Sequence, residues 1–114
     1  MSDGIEALYL ETHNWGKAAR FWQKLGYTVE FETDHNSGQL RNATRPDGPY
    51  LFIAEVPEDH APGVQMVLAV ASEDDVDDSL DVVSPFETTH WGAREMAIRD
   101  PDGRVWRLQA KAAQ

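Results

Sequence analysis

The stretch Trp91-Gly92-Ala93-Arg94-Glu95-Met96-Ala97-Ile98-Arg99-Asp100-Pro101-Asp102-Gly103-Arg104-Val105-Trp106 decides how the end of this chain folds. Glu95, Ala97 and Arg99 alternate with the larger apolar residues Met96 and Ile98, which is the period-two pattern of a half-buried strand. The tripeptide Pro-Asp-Gly at 101–103 has the chemistry of a turn, because proline fixes φ and glycine accepts a positive φ. Aromatic and β-branched residues then resume over 105–108. The stretch therefore predicts a β-hairpin.

The rest of the chain predicts the same order of elements twice. In the first half we expect a strand over 5–11, a helix over 15–25 between Asn14 as N-cap and Gly26, and strands over 27–32, 39–44 and 50–56. Apolar residues of the helix make one stripe, which Phe21 widens and Leu25 ends. The segment 34–38 reads as a loop.

In the second half we expect a strand over 64–70, a helix from a capping box at 72–75 to about Leu80, a strand starting at 82–83, a loop over 85–90 and the hairpin. A second Pro-Asp-Gly turn, at 46–48, matches the one at 101–103 and anchors the repeat. The sequence therefore predicts a single α+β domain over 1–114, with βαβββ modules at 5–57 and 64–110.

Net charge, hydropathy and cysteine content limit the kinds of partner and location that this chain favours. The chain has 114 residues and a net charge of −10, which argues against nucleic acid as a partner because phosphate binding needs basic patches. Acidic charge either keeps a protein soluble or attracts cationic ligands. No apolar run is long enough for a membrane span and no secretory signal is visible. With no cysteine, the chain fits a cytoplasmic protein.

Three blocks resemble a known family: Phe-Trp-Gln-Lys-Leu-Gly-Tyr at 21–27, Leu-Phe-Ile-Ala-Glu-Val at 51–56, and the stretch 91–103. They are similar to the glyoxalase/bleomycin resistance/dioxygenase superfamily, also called the vicinal oxygen chelate superfamily, and within it most like the bleomycin-binding resistance proteins. The resemblance implies two modules whose curved mixed sheets form a cleft. It also implies a homodimer with ligand grooves between the subunits.

The resemblance implies ligand-binding roles for two aromatic residues, Phe31 and Trp91. A planar ring offers a stacking surface for a flat group and attracts cations to its face. His90, beside Trp91, is a further candidate for the groove. The antibiotic binders carry another aromatic residue near the position of Asn36, and this departure favours a flat or cationic ligand other than bleomycin itself. The alternatives are a core role for Phe31 and a packing role for Trp91.

Metal-dependent members of the superfamily place one ligand on the first and last strand of each module, and the matching positions here are Ala7, Phe52, Gln65 and Arg107. Only Gln65 has an atom that could ligate, and the fixed charge of Arg107 repels a cation. We therefore predict neither a metal nor another cofactor, and we count Phe52, Gln65 and Arg107 among the ligand-binding candidates. A site of two histidines and one carboxylate from distant positions remains an alternative.

The expected function is therefore a small-molecule binding protein that sequesters a flat or cationic, antibiotic-like ligand without turnover. The alternative is an enzyme of the same fold. It would be a metal-dependent lyase, isomerase or dioxygenase, or a metal-free enzyme with Arg107 as electrophile. A sensor or an accessory subunit is a third reading, because a fold does not decide a function.

Overall fold

The computed structural model describes residues 2–110. Its elements are β1 (Ser2–Thr12), α1 (Trp15–Gln23), β2 (Tyr27–Glu32), β3 (Ser37–Asn42), β4 (Tyr50–Glu55), β5 (Val64–Val70), a 3-10 helix (Glu73–Asp75), β6 (Asp81–Thr88), β7 (Arg94–Arg99) and β8 (Val105–Ala110). Contacts divide these residues into two compact units. The first unit comprises residues 7–64, and the second combines 65–110 with 2–6. The predicted α+β class is confirmed.

In the first unit the strands lie in the order β2-β3-β4-β1, with β1 parallel to β4 and the other pairs antiparallel. One face of this sheet is covered by α1. Its buried residues pack on the sheet in a core of Trp15, Ala19, Leu40, Leu51 and Ile53. The helix begins as predicted, because the Asn14 side chain accepts a hydrogen bond of 2.9 Å from the backbone N–H of Lys17.

The end of α1 differs from the prediction. The helix ends at Gln23, and Gly26 at φ +93° turns the chain toward β2. Phe21 and Leu25 are 57% and 56% exposed, so neither belongs to the apolar stripe. Nearby, β3 begins at Ser37 rather than 39, so the predicted loop over 34–38 is wrong at its end.

In the second unit β5 lies parallel to β8, and β7 pairs antiparallel with both β8 and β6. The predicted hairpin is confirmed, with Gly103 at φ +85° in its turn. The Asp100 carboxylate accepts hydrogen bonds from the backbone N–H groups of Asp102 and Arg104, both at 2.9 Å, and from Trp106 Nε1 at 2.9 Å. The Trp106 bond is the main reason that the pKa of Asp100 is lowered to about 2.

The second predicted helix is wrong. Ser72 caps it as expected, since its hydroxyl accepts from the Asp74 N–H at 3.1 Å, but only Glu73–Asp75 are helical. The Asp77 carboxylate accepts hydrogen bonds from both the backbone N–H and the hydroxyl of Ser79, and this local turn competes with a helix. The same bonds lower the pKa of Asp77.

The loop predicted over 85–90 is largely strand. β6 runs to Thr88, and its register with β7 shifts between Val82 and Ser84 and again between Ser84 and Glu87. β6 is the last strand of the sheet and pairs only with β7. Pro85 has no backbone N–H to donate, and an edge strand tolerates this because it has no neighbour on its outer side. No helix within residues 2–110 is long and apolar enough to cross a membrane.

Candidate functional site

An aromatic row crosses the sheet of the first unit. Strand register places Phe31 beside Gln39, Gln39 beside Phe52, and Phe52 beside Tyr9. The rings of Tyr9 and Phe52 are nearly parallel, with centroids 6.2 Å apart, and those of Phe31 and Phe52 are 6.3 Å apart. We call Tyr9, Phe31 and Phe52 the aromatic face. Phe52 is buried, but Phe31 is 40% exposed, so the core role considered for Phe31 does not hold.

A β-bulge brings Phe31 to this face. The register of β2 against β3 shifts between Val29 and Phe31, which leaves Glu30 as the extra residue. Glu30 Oε1 accepts hydrogen bonds from Gln39 Nε2 at 2.8 Å and Arg41 Nε at 3.1 Å. Without the bulge, strict alternation would direct Glu30 and Phe31 to opposite faces of β2. The aromatic face therefore has a polar edge that anchors the bulged strand.

In the second unit, four side chains from three strands form what we call the Arg107 network. Arg107 Nε donates to Gln65 Oε1 at 2.6 Å, and Arg107 Nη1 donates to Glu95 Oε1 at 3.1 Å. Gln109 Nε2 donates to the other carboxylate oxygen of Glu95 at 3.1 Å. Glu95 is 7% exposed, and these donors supply the hydrogen bonds that a buried carboxylate needs. Gln65 and Arg107, predicted separately as site residues, are thus in direct contact.

A cavity of about 170 Å³ lies beside the Arg107 network. Hydroxyl groups, two carboxylates and a guanidinium line it: Ser84, Thr88, Thr89, Glu87, Glu95 and Arg107. Glu87 and Glu95 are register partners on β6 and β7, so two like charges lie on adjacent strands. Such a wall favours a ligand that carries hydrogen-bond donors or a positive charge.

The loop before β7 carries the two remaining predicted residues. Thr89 closes it, since its backbone N–H donates to the Ala93 carbonyl at 2.7 Å and its carbonyl accepts from the Gly92 N–H at 3.0 Å. The rings of His90 and Trp91 meet edge to face, with centroids 4.7 Å apart. Trp91 is partly exposed and His90 is exposed. Thr89 lines the cavity, and His90 and Trp91 follow it directly in the chain.

Comparison with known proteins identifies the fold. No family model matches the chain, and no curated protein matches it. A glyoxalase/bleomycin resistance protein/dioxygenase superfamily member from Vibrio splendidus is 18% identical and superposes with a TM-score of 0.67 over 94% of this chain and 99% of its own. Methylmalonyl-CoA epimerase from Mycobacterium tuberculosis is 14% identical, with a TM-score of 0.73 over 98% of this chain and 90% of its own. The chain has the glyoxalase/bleomycin resistance/dioxygenase fold.

A third structure with this fold is that of a metal-bound enzyme. The Mn(II)-bound glyoxalase from Novosphingobium aromaticivorans is 15% identical, with a TM-score of 0.70 over 99% of this chain and 41% of its own. At the four positions predicted to match the ligands of metal-dependent members, Ala7 and Phe52 offer no donor atom. Gln65 Oε1 already accepts from the guanidinium of Arg107. These residues do not fit a metal ion.

The histidines do not supply an alternative metal site. His13 Nε2 lies 2.7 Å from the carbonyl oxygen of His60, and His60 Nε2 lies 3.2 Å from Glu11 Oε1. These contacts fasten the segment before β5 to the end of β1. Across residues 2–110, no three His, Cys, Asp or Glu side chains come together in a group that could hold a metal ion.

Sequence reasoning missed Glu95, Glu87 and Tyr9. Arg94 and Glu95 are neighbours on β7 and point to opposite faces, because Arg94 pairs with Glu73 at 2.9 Å while Glu95 pairs with Arg107. Alternation along β7 was the available signal, since it assigns Glu95 a face. It could not show that this face is buried or which strands lie beside it.

Proposed function

We propose that this protein binds a small molecule without converting it. The observation that supports this most is the engagement of Arg107 with Gln65 and Glu95 at a position predicted to match a metal ligand of the family. A guanidinium has a permanent charge, so it stands where a metal-dependent enzyme would need a free donor for its cation. The cavity of the second unit is therefore suited to hydrogen bonding rather than to Lewis-acid chemistry.

The proposed ligand has a flat group and a cationic group. Phe31 and Trp91 provide partly exposed rings for stacking, each worth about 0.5–1.5 kcal/mol beyond the area that it buries. Glu87 and Glu95 provide negative charge at the cavity. Phe52 is the other candidate contact in the first unit, and His90 and the Arg107 network are the other candidates in the second. The resemblance to bleomycin-binding proteins suggests an antibiotic-like glycopeptide as the first ligand to test.

A homodimer and a cytoplasmic location belong to the same proposal. The homodimer rests on the resemblance over 21–27, 51–56 and 91–103, and the location rests on the absence of cysteine. The net charge of −10 and the cavity favour small molecules as partners, rather than nucleic acids or membranes.

An enzyme is the second candidate, because one observation favours it. Arg107 and Glu95 place a guanidinium and a carboxylate at one cavity, which is a usable pair for polarising a carbonyl group and moving a proton without a metal. An epimerase and a glyoxalase share the fold, although at 14% and 15% identity this likeness concerns the fold alone.

Calorimetric titration with a bleomycin-family glycopeptide tests the proposal. We expect saturation near one ligand per chain, no bound metal on the same sample, and a three- to tenfold weaker affinity for Trp91→Ala. Trp22→Phe is the control, because it also removes an indole but lies on α1. Turnover of an epimerase or glyoxalase substrate by the metal-free protein, lost in Arg107→Met, would favour the enzyme instead.

A further inference from the structure

A second cavity, of about 230 Å³, lies on the other face of the second unit's sheet from the Arg107 network. Its apolar walls come from β5, β7, β8 and the segment before β6: Leu68, Val70, Val76, Leu80, Ile98 and Leu108. Leu108 follows Arg107 on β8, so the two side chains point to opposite faces. Two carboxylates, Asp75 and Asp77, also line the cavity. We call it the outer cavity, and all of its lining belongs to the second unit.

The outer cavity exists because the second unit has no long helix over its sheet. In the first unit the nine-residue helix α1 buries Trp15 and Ala19 against the strands. In the second unit the helix has three residues, Glu73–Asp75, and the chain becomes extended at Val76. Leu80, later in the same segment, is 38% exposed. The second unit therefore keeps an apolar space where the first unit has a filled core.

The sheet side of the outer cavity is a fixed surface. Leu68 on β5 is the register partner of Leu108 on β8, and Leu108 is the partner of Met96 on β7. Val70 and Leu108 are 2% and 4% exposed. Because buried side chains of a sheet are closely packed, a ligand meets a preformed apolar surface here.

The segment 73–80 on the other side of the outer cavity is held at two points. Arg94 on β7 donates to both carboxylate oxygens of Glu73, from Nε at 3.0 Å and from Nη2 at 2.9 Å. Asp77 Oδ1 accepts from the backbone N–H of Ser79 at 2.8 Å and from its hydroxyl at 2.6 Å. These bonds position the Asp77 carboxylate before any ligand arrives.

Negative charge lies where the outer cavity meets solvent. Asp75 and Asp77 are exposed, and six of the nine residues over 73–81 are Asp or Glu. The hydrogen bonds from Ser79 lower the pKa of Asp77, so its carboxylate is charged at neutral pH. Such an opening attracts cations and repels anions. A dry cavity of about 150 Å³ can hold benzene, so the outer cavity has room for a phenyl ring and a short linker.

We propose that the outer cavity binds a small arylalkylammonium ion, with its ring against Leu68, Leu80 and Leu108 and its ammonium group beside Asp75 and Asp77. The ring covers apolar surface that is now partly exposed, and this burial supplies most of the affinity. Exposed carboxylates add little binding energy, but their sign decides which ligands are preferred. This site lies apart from the cavity beside the Arg107 network and does not depend on the proposed function.

Titrations followed by proton–nitrogen correlation NMR test this proposal with three probes of similar size: phenethylammonium, phenethyl alcohol and hydrocinnamate. We expect the ammonium to bind at least threefold more tightly than the alcohol, and the carboxylate to bind most weakly. Shifts of backbone amides should be largest around Leu68, Leu80 and Leu108. Equal affinities for the three probes would overturn the proposal, and so would a failure of phenethylammonium to saturate by about 30 mM.

Two variants separate charge from apolar contact. Asp75→Asn/Asp77→Asn should lower the affinity for the ammonium to that for the alcohol, because asparagine keeps a side-chain oxygen for the turn but has no charge. Leu80→Ala should weaken the binding of both probes by the same factor, about threefold. Its matched control is Val83→Ala, which changes a residue that is 45% exposed and outside the cavity, and which should bind like wild type. An ammonium preference that survives the double variant would overturn the proposal.

Glu87→Gln shows which of the two cavities holds the amine. It changes the cavity beside the Arg107 network and leaves the outer cavity intact, so it should bind phenethylammonium like wild type. Loss of binding in this variant would assign the amine to the cavity beside the Arg107 network. That result would overturn the inference and leave the proposed function standing.

Discussion

Glu95 and Arg107 form the best-buried ion pair of the described residues, with side chains 6% and 28% exposed. A buried pair contributes little net stability compared with a packed apolar pair, but removing one partner leaves an uncompensated charge. Arg107→Met should therefore lower the free energy of unfolding by about 2 kcal/mol, reduced from the fully buried case because Arg107 is partly exposed. Urea denaturation of the variant measures this.

The double variant Arg107→Met/Glu95→Gln is the control for that prediction. Arg107→Met alone leaves the Glu95 charge without its partner, and the double variant removes that charge as well. It should therefore recover part of the lost free energy of unfolding. If both variants lose the same stability, the cost would come from packing of the Arg107 side chain rather than from charge.

Asp100 makes the hairpin sensitive to acid. Its pKa is about 2 in the folded chain, against an ordinary value of 3.8. A carboxyl with a lowered pKa contributes stability above its unfolded pKa, and loses it as the pH falls through the folded value. Thermal unfolding followed by circular dichroism should therefore show the melting temperature falling between about pH 4 and pH 2.

Asp100→Asn provides the comparison for this pH dependence. The variant should melt lower than wild type at pH 7 and should lose the part of the pH dependence that Asp100 supplies. An unchanged slope between pH 4 and pH 2 would assign the effect to other carboxylates.

At the scale of elements, the contact of α1 with β3 depends on a glycine. A Cβ on Gly38 would lie 2.6 Å from Trp15 Cη2 and 2.7 Å from the backbone oxygen of Phe31. Because backbone cannot move aside cheaply, Gly38→Ala should destabilise the protein by about 2 kcal/mol in urea denaturation. β3 begins with two small residues, Ser37 and Gly38, and the indole of Trp15 lies against the second of them.

Gly16→Ala is the matched substitution on the other side of Trp15. Its Cβ would meet nothing closer than Arg20 Nη1 at 3.4 Å, and alanine is the better helix former. It should raise the free energy of unfolding by about 0.5–1 kcal/mol. A loss of stability in Gly16→Ala would show that the start of α1 has less room than this geometry indicates.

At the scale of the whole molecule, charge governs how a cationic ligand is attracted. The net charge is −10, and the carboxylates of Glu87 and Glu95 lie at the cavity. Salt shortens the screening length from about 10 Å at 0.1 M to about 3 Å at 1 M. The affinity for a cationic glycopeptide should therefore fall several-fold over this range, as measured by calorimetry, and Glu87→Gln should show a smaller change. An affinity independent of salt would contradict a charge-assisted mode of binding.

Local patterns were sufficient for much of the fold. Alternation, turn residues and capping residues predict the hairpin of β7 and β8, the Asn14 cap and the similar order of elements in the two halves. These signals are local, because each depends on residues only a few positions away. The second helix failed for a local reason as well, because Asp77 and Ser79 form a turn that competes with it.

The candidate site depends on residues far apart in the chain. Contact between Gln65 and Arg107 spans 42 positions, and the partners of Glu95 follow from the register of β7 and β8. The bulge beside Phe31 arises from pairing with β3, which alternation along β2 cannot reveal. Sequence patterns thus predict which residues share a strand face, because side-chain direction is local. Burial, register and charge pairing arise only when distant strands meet, because each depends on what the other strand presents.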